Sequence, residues 1–155
     1  MSYREKVARF VSFCVEQFKH CHGGDGRGVG ELFLRNGIFG FLSANFEIEH
    51  CLDANQILDD IDSILRRKGA LVFALCHKYG GLMSGVVTQE NLHLFIPGKA
   101  AGVAMLIANA EGLTVEEALL KFYSTETYRR LEREQTKYWH YSAAQLYQIL
   151  QDESL

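Results

Sequence analysis

Apolar residues recur every three or four positions along two long stretches of the chain, with polar residues between them. This period matches the 3.6-residue turn of an α-helix and gives each stretch one face to bury. The first stretch predicts a helix over residues 3–20. The second predicts a helix over residues 54–68, capped by Asp53 and ended by Gly69. The apolar positions are Val7, Phe10, Val11, Cys14, Val15 and Phe18 in the first stretch, and Ile57, Leu58, Ile61, Ile64 and Leu65 in the second.

The C-terminal stretch, residues 112–150, carries local signals for helix starts. Thr114 followed by Glu117 is the pattern of a capping box, in which two side chains bond the first free amides of a helix. Ser124 and Ser142 offer two further N-caps, so the stretch predicts three short helices. It shows no nucleophile beside an evident base and no phosphate loop, so it indicates no catalytic role.

Shorter segments fill the space between these stretches. A helix is predicted over residues 29–34, with Asn36-Gly37 as its C-cap, followed by an apolar helix over residues 38–46. Pro97 fits the first turn of an alanine-rich helix over residues 98–110. Residues 70–96 fit a buried helix or a strand, because in a brief apolar run the spacing of the apolar residues does not distinguish a helix from a strand. Within them, Thr88 offers an N-cap for a short helix through Leu94.

Together these patterns predict a mainly α fold, a compact multi-helix domain built from two helical halves. The halves are residues 1–69 and 98–155, joined by a central connecting segment over residues 70–97. For that segment, a short β-hairpin and an irregular stretch are both open alternatives. Each half shows an apolar helix, a glycine-containing break and a second helix. Two related helical halves and a chance similarity of amphipathic helices explain this repetition about equally well.

A glycine-rich stretch, HCHGGDGRG over residues 20–28, invites comparison with a phosphate-binding loop. It lacks the Lys-Ser/Thr pair of such loops and follows a predicted helix, where a phosphate loop follows a strand. The pattern favours a flexible connector.

The composition narrows the function classes. The 155 residues are 48% hydrophobic and 23% charged, with a net charge of −3, which is the balance of an ordinary globular chain. Lysine and arginine are not gathered in one run, so nucleic-acid binding is not expected, although a regulator of that kind stays open as a third alternative. The charged N-terminus lacks a secretory h-region and no apolar run reaches membrane-spanning length. We therefore expect a cytoplasmic protein with reduced thiols and no membrane association.

Cysteine and histidine fall together three times, and three such pairs can converge on a zinc ion. Against this, the pairs lack the usual ligand spacings, and buried cysteine is usually a core residue. A Cys–His nucleophilic pair at Cys51 or Cys21 is a second alternative, without a family signature around either thiol. No cofactor is predicted. The metal candidates are Cys21, His22, His50, Cys51, Cys76 and His77.

An aromatic cluster at residues 138–141 is a candidate for binding a partner, because tryptophan and tyrosine dominate interface hot spots. The alternative is that Trp139 closes the core of the last helices and the tyrosine hydroxyls reach solvent, which we favour for Trp139. The candidate partner-binding residues are Tyr128, Arg129, Tyr138, His140 and Tyr141.

The segment NFEIEHCLDANQILDDIDSILRRKG resembles part of a family of short bacterial helical domains of unknown function, and the resemblance covers residues 11–69. The chain departs from that pattern at Glu49, where the family usually has leucine, and at Cys51-Leu52, where threonine followed by glutamine or leucine is common. The residues that carry the resemblance are Phe46, Glu47, His50, Ile57, Asp59, Asp60 and Ile61.

Residues 107–150 resemble a second small family, with a glycine break, a Phe-Tyr pair and a closing helix. Proteins of both kinds resemble small partners encoded beside ADP-ribosyltransferase-like toxins, and the resemblance implies an antitoxin-like or accessory role without catalytic residues. Residues 70–97 lie outside both. The matching residues are Gly112, Thr114, Ala118, Phe122, Thr127, Tyr128, Leu131, Thr136, Trp139 and Leu146.

The function expected from these observations is that of a non-enzymatic protein-binding module whose partner is a protein, such as a toxin-like enzyme. A metal-binding protein or small enzyme using the Cys/His pairs is the alternative. Homo-oligomerisation is left open by the sequence.

Overall fold

A computed structural model describes residues 1–70 and 86–154 of the chain, and all the regular structure in these ranges is helical. This confirms the mainly α prediction. The helices are α1 Tyr3–His22, α2 Gly26–Arg35, α3 Ile38–Ala44, α4 Phe46–Glu49, α5 Ala54–Arg67, α6 Ile96–Glu111, α7 Val115–Tyr123, α8 Glu126–Leu131 and α9 Ala143–Glu153, with single 3₁₀ turns at Leu92–Leu94, Glu134–Thr136 and Tyr138–His140.

Helix α1 is the central element of the packing. It lies along α6 and also contacts α2 and α5, while α6 contacts α7 and α9 on its other sides. Its buried positions include Val11, Cys14 and Val15, which belong to the predicted apolar face. One contiguous hydrophobic core therefore joins elements from both predicted halves. The division into two related halves stays a prediction.

Side-chain caps fix several of the predicted helix starts. Asp53, Thr114 and Ser142 each accept the backbone N–H of the residue three positions later, at the starts of α5, α7 and α9. The predicted cap at Ser124 is wrong, because Thr125 adopts the extended backbone and its hydroxyl accepts the N–H of Tyr128. The Ser124 hydroxyl instead donates to the carbonyl of the preceding turn of α7.

The glycine-rich connector is shorter than predicted. Helix α1 continues to His22, and α2 begins at Gly26, so only residues 23–25 separate them. Asp25 makes this early start favourable, because its carboxylate accepts the N–H of Gly28 at 2.7 Å. Gly23 ends α1 at φ 82°, a left-handed conformation that glycine adopts without steric cost.

The central segment is described only in part. The expected short helix through Leu94 is a 3₁₀ turn over Leu92–Leu94. The predicted cap at Thr88 is wrong, because Asn91 precedes this turn and the backbone N–H of Thr88 donates to the Asn91 side chain at 2.7 Å. The alternative of a β-hairpin falls mainly on residues 71–85, which lie outside the described residues. Among the helices of the described ranges, none has the length and hydropathy required to cross a bilayer.

Candidate functional site

A groove of about 690 Å³ runs beside the N-terminal half of α1, and we call it the α1 groove. Its size falls within the range of about 300–1,000 Å³ that is usual for ligand pockets. Three parts of the chain that are distant in sequence form it: residues 1–13, 46–57 and 94–98. It is lined by Met1, Tyr3, Lys6, Arg9, Phe10, Phe13, Phe46, Glu47, His50, Leu52, Ala54, Ile57, Leu94, Pro97 and Gly98.

The wall on the α1 side is one face of that helix. Lys6, Phe10 and Phe13 are three or four residues apart, so helical geometry places them in one row. Phe46, at the start of α4, packs edge to face against Phe10 with ring centroids 5.5 Å apart. It also packs against Tyr3, with centroids 5.6 Å apart. The floor of the groove is therefore aromatic and held in place by ring packing.

His50 closes one side of the α1 groove. Its ring stacks on Phe46 with centroids 4.4 Å apart, and its Nδ1 atom pairs with the Phe46 carbonyl. The Cys51 sulfur lies 3.7 Å from His50 Nε2, but Cys51 is not among the residues that line the groove. The predicted Cys51–His50 pair is thus in contact and lies at the edge of the groove.

Two cations and one carboxylate lie at the rim. Within the described part of the chain, the side chains of Lys6, Arg9 and Glu47 form no ion pair and no hydrogen bond. The Arg9 guanidinium lies against the backbone of Gly98 at the start of α6, where a Cβ atom would be 2.7 Å from its Nη2. The first turn of α6 has no side-chain cap. Positive groups therefore exceed negative ones at this rim, although the whole chain has a net charge of −3.

The predicted metal candidates do not converge in the described residues. No group of three His, Cys, Asp or Glu side chains there has a geometry that could hold a metal ion. His22 instead lies 3.1 Å from a carboxylate oxygen of Asp62, and Cys21 packs against the core. Burial raises the pKa of Asp62, and His22 opposes this rise. Cys76 and His77 lie outside the described residues.

The aromatic cluster at residues 138–141 is divided between surface and interior. The rings of Tyr138 and Tyr141 pack edge to face at 5.3 Å, and Tyr141 is 38% exposed. His140 is exposed and stacks on Trp139, which is half-buried against the core. The hydroxyl of Tyr138 accepts a hydrogen bond from Arg130. These residues form a small exposed aromatic surface.

Tyr128 and Arg129, the other candidates for partner binding, lie elsewhere. Tyr128 is fully buried, so its ring contacts the interior. Arg129 is exposed and lies 3.7 Å from Glu126 on the same helix.

A buried polar network surrounds Tyr128, and sequence reasoning missed it. The Tyr128 hydroxyl donates to Glu16 and accepts from Lys19 at 2.8 Å. Lys19 also forms ion pairs with Glu16 at 2.9 Å and with Glu132 at 2.7 Å. Burial raises the pKa of Glu16, with Lys19 opposing it, and burial followed by the charge of Glu16 raises the pKa of Tyr128 well above its usual range. The network joins α1 to α8 and is structural.

A second buried carboxylate, Glu49, lies beside the core. It is 5% exposed, and one of its oxygens has no hydrogen-bond partner. Burial raises its pKa, and the nearby charge of Asp60 adds to the increase.

Comparison with known proteins finds a family match for part of the chain. Residues 9–68 match a family model whose description is "Protein of unknown function (DUF3791)". Comparisons with curated proteins and with solved structures found no match. The matched region supplies most of the side chains of the α1 groove, among them Arg9, Phe10, Phe13, Phe46, His50 and Ile57. The expected resemblance of this region to a small domain of unknown function is confirmed.

Proposed function

We propose that the protein is a non-enzymatic binding module that holds a segment of a protein partner in the α1 groove. The observation that carries the proposal is the composition of the groove: it is lined by aromatic rings, and the charged side chains at its rim lack partners in the described residues. Apolar pockets with a few polar groups are the usual form of a binding site. Buried aromatic contacts surrounded by a polar rim are also the usual anatomy of a protein interface.

The resemblance of the chain to small proteins encoded beside ADP-ribosyltransferase-like toxins supports a toxin-like enzyme as the partner. In such a complex, inhibition is steric: the module binds a segment next to the partner's active site and covers the site. This mechanism requires shape and contact area from the module and no catalytic residue.

The test is affinity purification of the tagged protein from its native cells, with mass spectrometry of the co-eluting proteins. Three forms are compared: the wild type, Phe13→Asp in the groove, and Tyr141→Asp on the aromatic surface. Tyr141 is exposed, whereas Phe13 is partly buried against the core, so far-UV circular dichroism and urea unfolding of each variant must show a folded protein before its capture is compared. We expect a stoichiometric partner with the wild type and with Tyr141→Asp, and its loss with Phe13→Asp.

Any partner that is recovered is then assayed for transferase activity with and without the module. We expect the module to suppress that activity at a one-to-one ratio. Elution of the wild type alone would refute the proposal. Retention by Phe13→Asp together with loss from Tyr141→Asp would move the interface to the aromatic surface.

A further inference from the structure

We infer that the α1 groove selects a partner segment in which acidic side chains flank a large apolar one. This inference rests on the proposed function, because it specifies the chemistry of the segment that the groove holds.

Lys6 and Arg9 are cations without an ion pair in the described residues, and they are the Lys and Arg side chains that line the α1 groove there. Lys121 pairs with Glu111, and Lys137 pairs with Glu134, so these charges are already neutralised within the chain. Lys6 and Arg9 have no such partner among the described residues. Glu47, the one acidic side chain among the groove-lining residues of the described ranges, pairs with neither. An acidic ligand would supply the missing carboxylates.

The local sequence explains why Arg9 is left without a partner. Its neighbour one turn earlier in α1 is Glu5, the position from which a carboxylate usually pairs with an arginine. Glu5 is already engaged, because its carboxylate accepts the N–H of Ser2 at 2.9 Å in the capping box that starts α1. These hydrogen bonds also lower the pKa of Glu5. The capping box therefore leaves the Arg9 guanidinium available to the groove.

Gly98 then determines where the guanidinium lies. Without a Cβ atom at this position, Arg9 lies directly on the backbone at the start of α6. The uncapped amides of the first turn of α6 carry a partial positive charge of their own, which adds to the attraction for a carboxylate at this end of the groove.

The floor selects the apolar part of the ligand. Phe10, Phe13 and Phe46 present ring faces and edges, which favour an aromatic or branched aliphatic side chain. A volume of about 690 Å³ accommodates more than one such side chain. A short segment with an apolar centre and acidic ends fits both the floor and the rim.

The experiment titrates the ¹⁵N-labelled full chain with two blocked tetrapeptides and follows the amide signals by NMR. The first has phenylalanine and leucine between aspartate and glutamate, and the second has asparagine and glutamine at the outer positions. We expect the acidic peptide to shift the signals of residues 6–13, 46–52 and 98–99, with a Kd about five- to tenfold below that of the neutral peptide. Two exposed ion pairs supply a difference of this size.

Two charge variants test which cations are responsible. Lys6→Gln/Arg9→Gln should reduce the preference for the acidic peptide to about twofold or less. Arg133→Gln is the matched control, since Arg133 is exposed, lies outside the groove and forms no ion pair in the described residues. It should leave the preference unchanged. Raising the salt concentration with the wild type should also reduce the preference, which tests the electrostatic term without any substitution.

Equal affinity for the two peptides, absence of binding by either, or an undiminished preference in the double variant would overturn this inference. The two proposals can be distinguished. If a partner is lost from Phe13→Asp but retained by the Lys6→Gln/Arg9→Gln variant, the proposed function stands and only the preference for acidic segments is refuted. If the acidic peptide binds selectively but no partner is captured from cells, the proposed function is refuted and the preference of the groove for acidic segments stands.

Discussion

The contact between Gly26 and Tyr128 fixes α2 against α8, and it makes the effect of one substitution calculable. The Tyr128 side chain rests on the first residue of α2, so that the Cβ atom of an alanine at position 26 would lie well inside 3.0 Å of two ring carbons and the hydroxyl oxygen of Tyr128. Tyr128 is fully buried and its hydroxyl donates to Glu16. Gly26→Ala must therefore displace the ring, the helix or both.

The expected cost has two parts. Overpacking a well-packed interior costs about 1–3 kcal/mol. Movement of the ring also weakens the hydrogen bond to Glu16, and a buried group that loses a partner costs about 1–3 kcal/mol. Because Lys19 still reaches Glu16 at 2.9 Å, the second part should lie at its lower end. We expect Gly26→Ala to lower the free energy of unfolding by about 2–4 kcal/mol, a large share of the roughly 5–15 kcal/mol of a typical domain.

Urea unfolding followed by far-UV circular dichroism measures this change. With an m-value of about 2 kcal/mol per molar, the midpoint should fall by about 1–2 M. Gly40→Ala is the matched control, since Gly40 lies in α3 and a Cβ atom there would meet nothing within 4 Å. Alanine is the better helix former by about 1 kcal/mol, so this midpoint should stay constant or rise slightly.

A double-mutant cycle isolates the contact itself. The clashing atoms are the distal ring carbons and the hydroxyl of Tyr128, which leucine lacks. In the Tyr128→Leu background, Gly26→Ala should therefore cost less than about 0.5 kcal/mol. An equal cost in both backgrounds, or a wild-type midpoint that does not move, would show that the ring does not occupy the space above Gly26.

Three further substitutions test other contacts. Gly102→Ala would place its Cβ atom 2.5 Å from that of Ala143 and force α6 and α9 apart, so urea unfolding should show a loss of about 1–3 kcal/mol. Ser142→Ala removes the hydroxyl that caps α9 and should cost about 1 kcal/mol, with faster hydrogen exchange confined to that helix. Burial raises the pKa of Glu49, so the folded state takes up a proton more readily than the unfolded chain and loses stability as pH rises through the raised pKa. Glu49→Leu should therefore increase the free energy of unfolding more at pH 7 than at pH 4, and equal gains at the two pH values would contradict this assignment.

The parts of the fold that could be predicted from sequence are those set by local interactions. A capping box joins residues three apart, and an apolar face repeats every three or four residues, so Asp53 and Thr114 marked helix starts correctly. The role of Gly26 could not be read in this way, because a residue from α8 determines it. The glycine-rich stretch therefore suggested a flexible connector, while the structure shows a close contact between helices.

The same limit applies to Tyr128 and to the aromatic residues near it. Aromatic density along the chain does not distinguish a ring that faces solvent from one that faces the interior, because short helices joined by tight turns change direction within a few residues. Tyr128 is buried and Tyr141 is exposed, although both belong to the same aromatic-rich stretch. Only the packing of α8 against its neighbours separates them.

The α1 groove has no signature in the sequence as a whole, because α1, α4, α5 and the start of α6 come together only in the folded chain. That its cations lack ion-pair partners within α1, however, follows from neighbouring residues of the sequence. Arg9 has one acidic neighbour at helical pairing distance, Glu5, and the capping box with Ser2 engages that carboxylate. A basic residue whose helical partner already caps the helix is left with an unsatisfied charge. Lys6 has no acidic residue three or four positions away in either direction. Two such cations lie beside the apolar face of α1, and the preference for an acidic segment that we propose for the α1 groove depends on them.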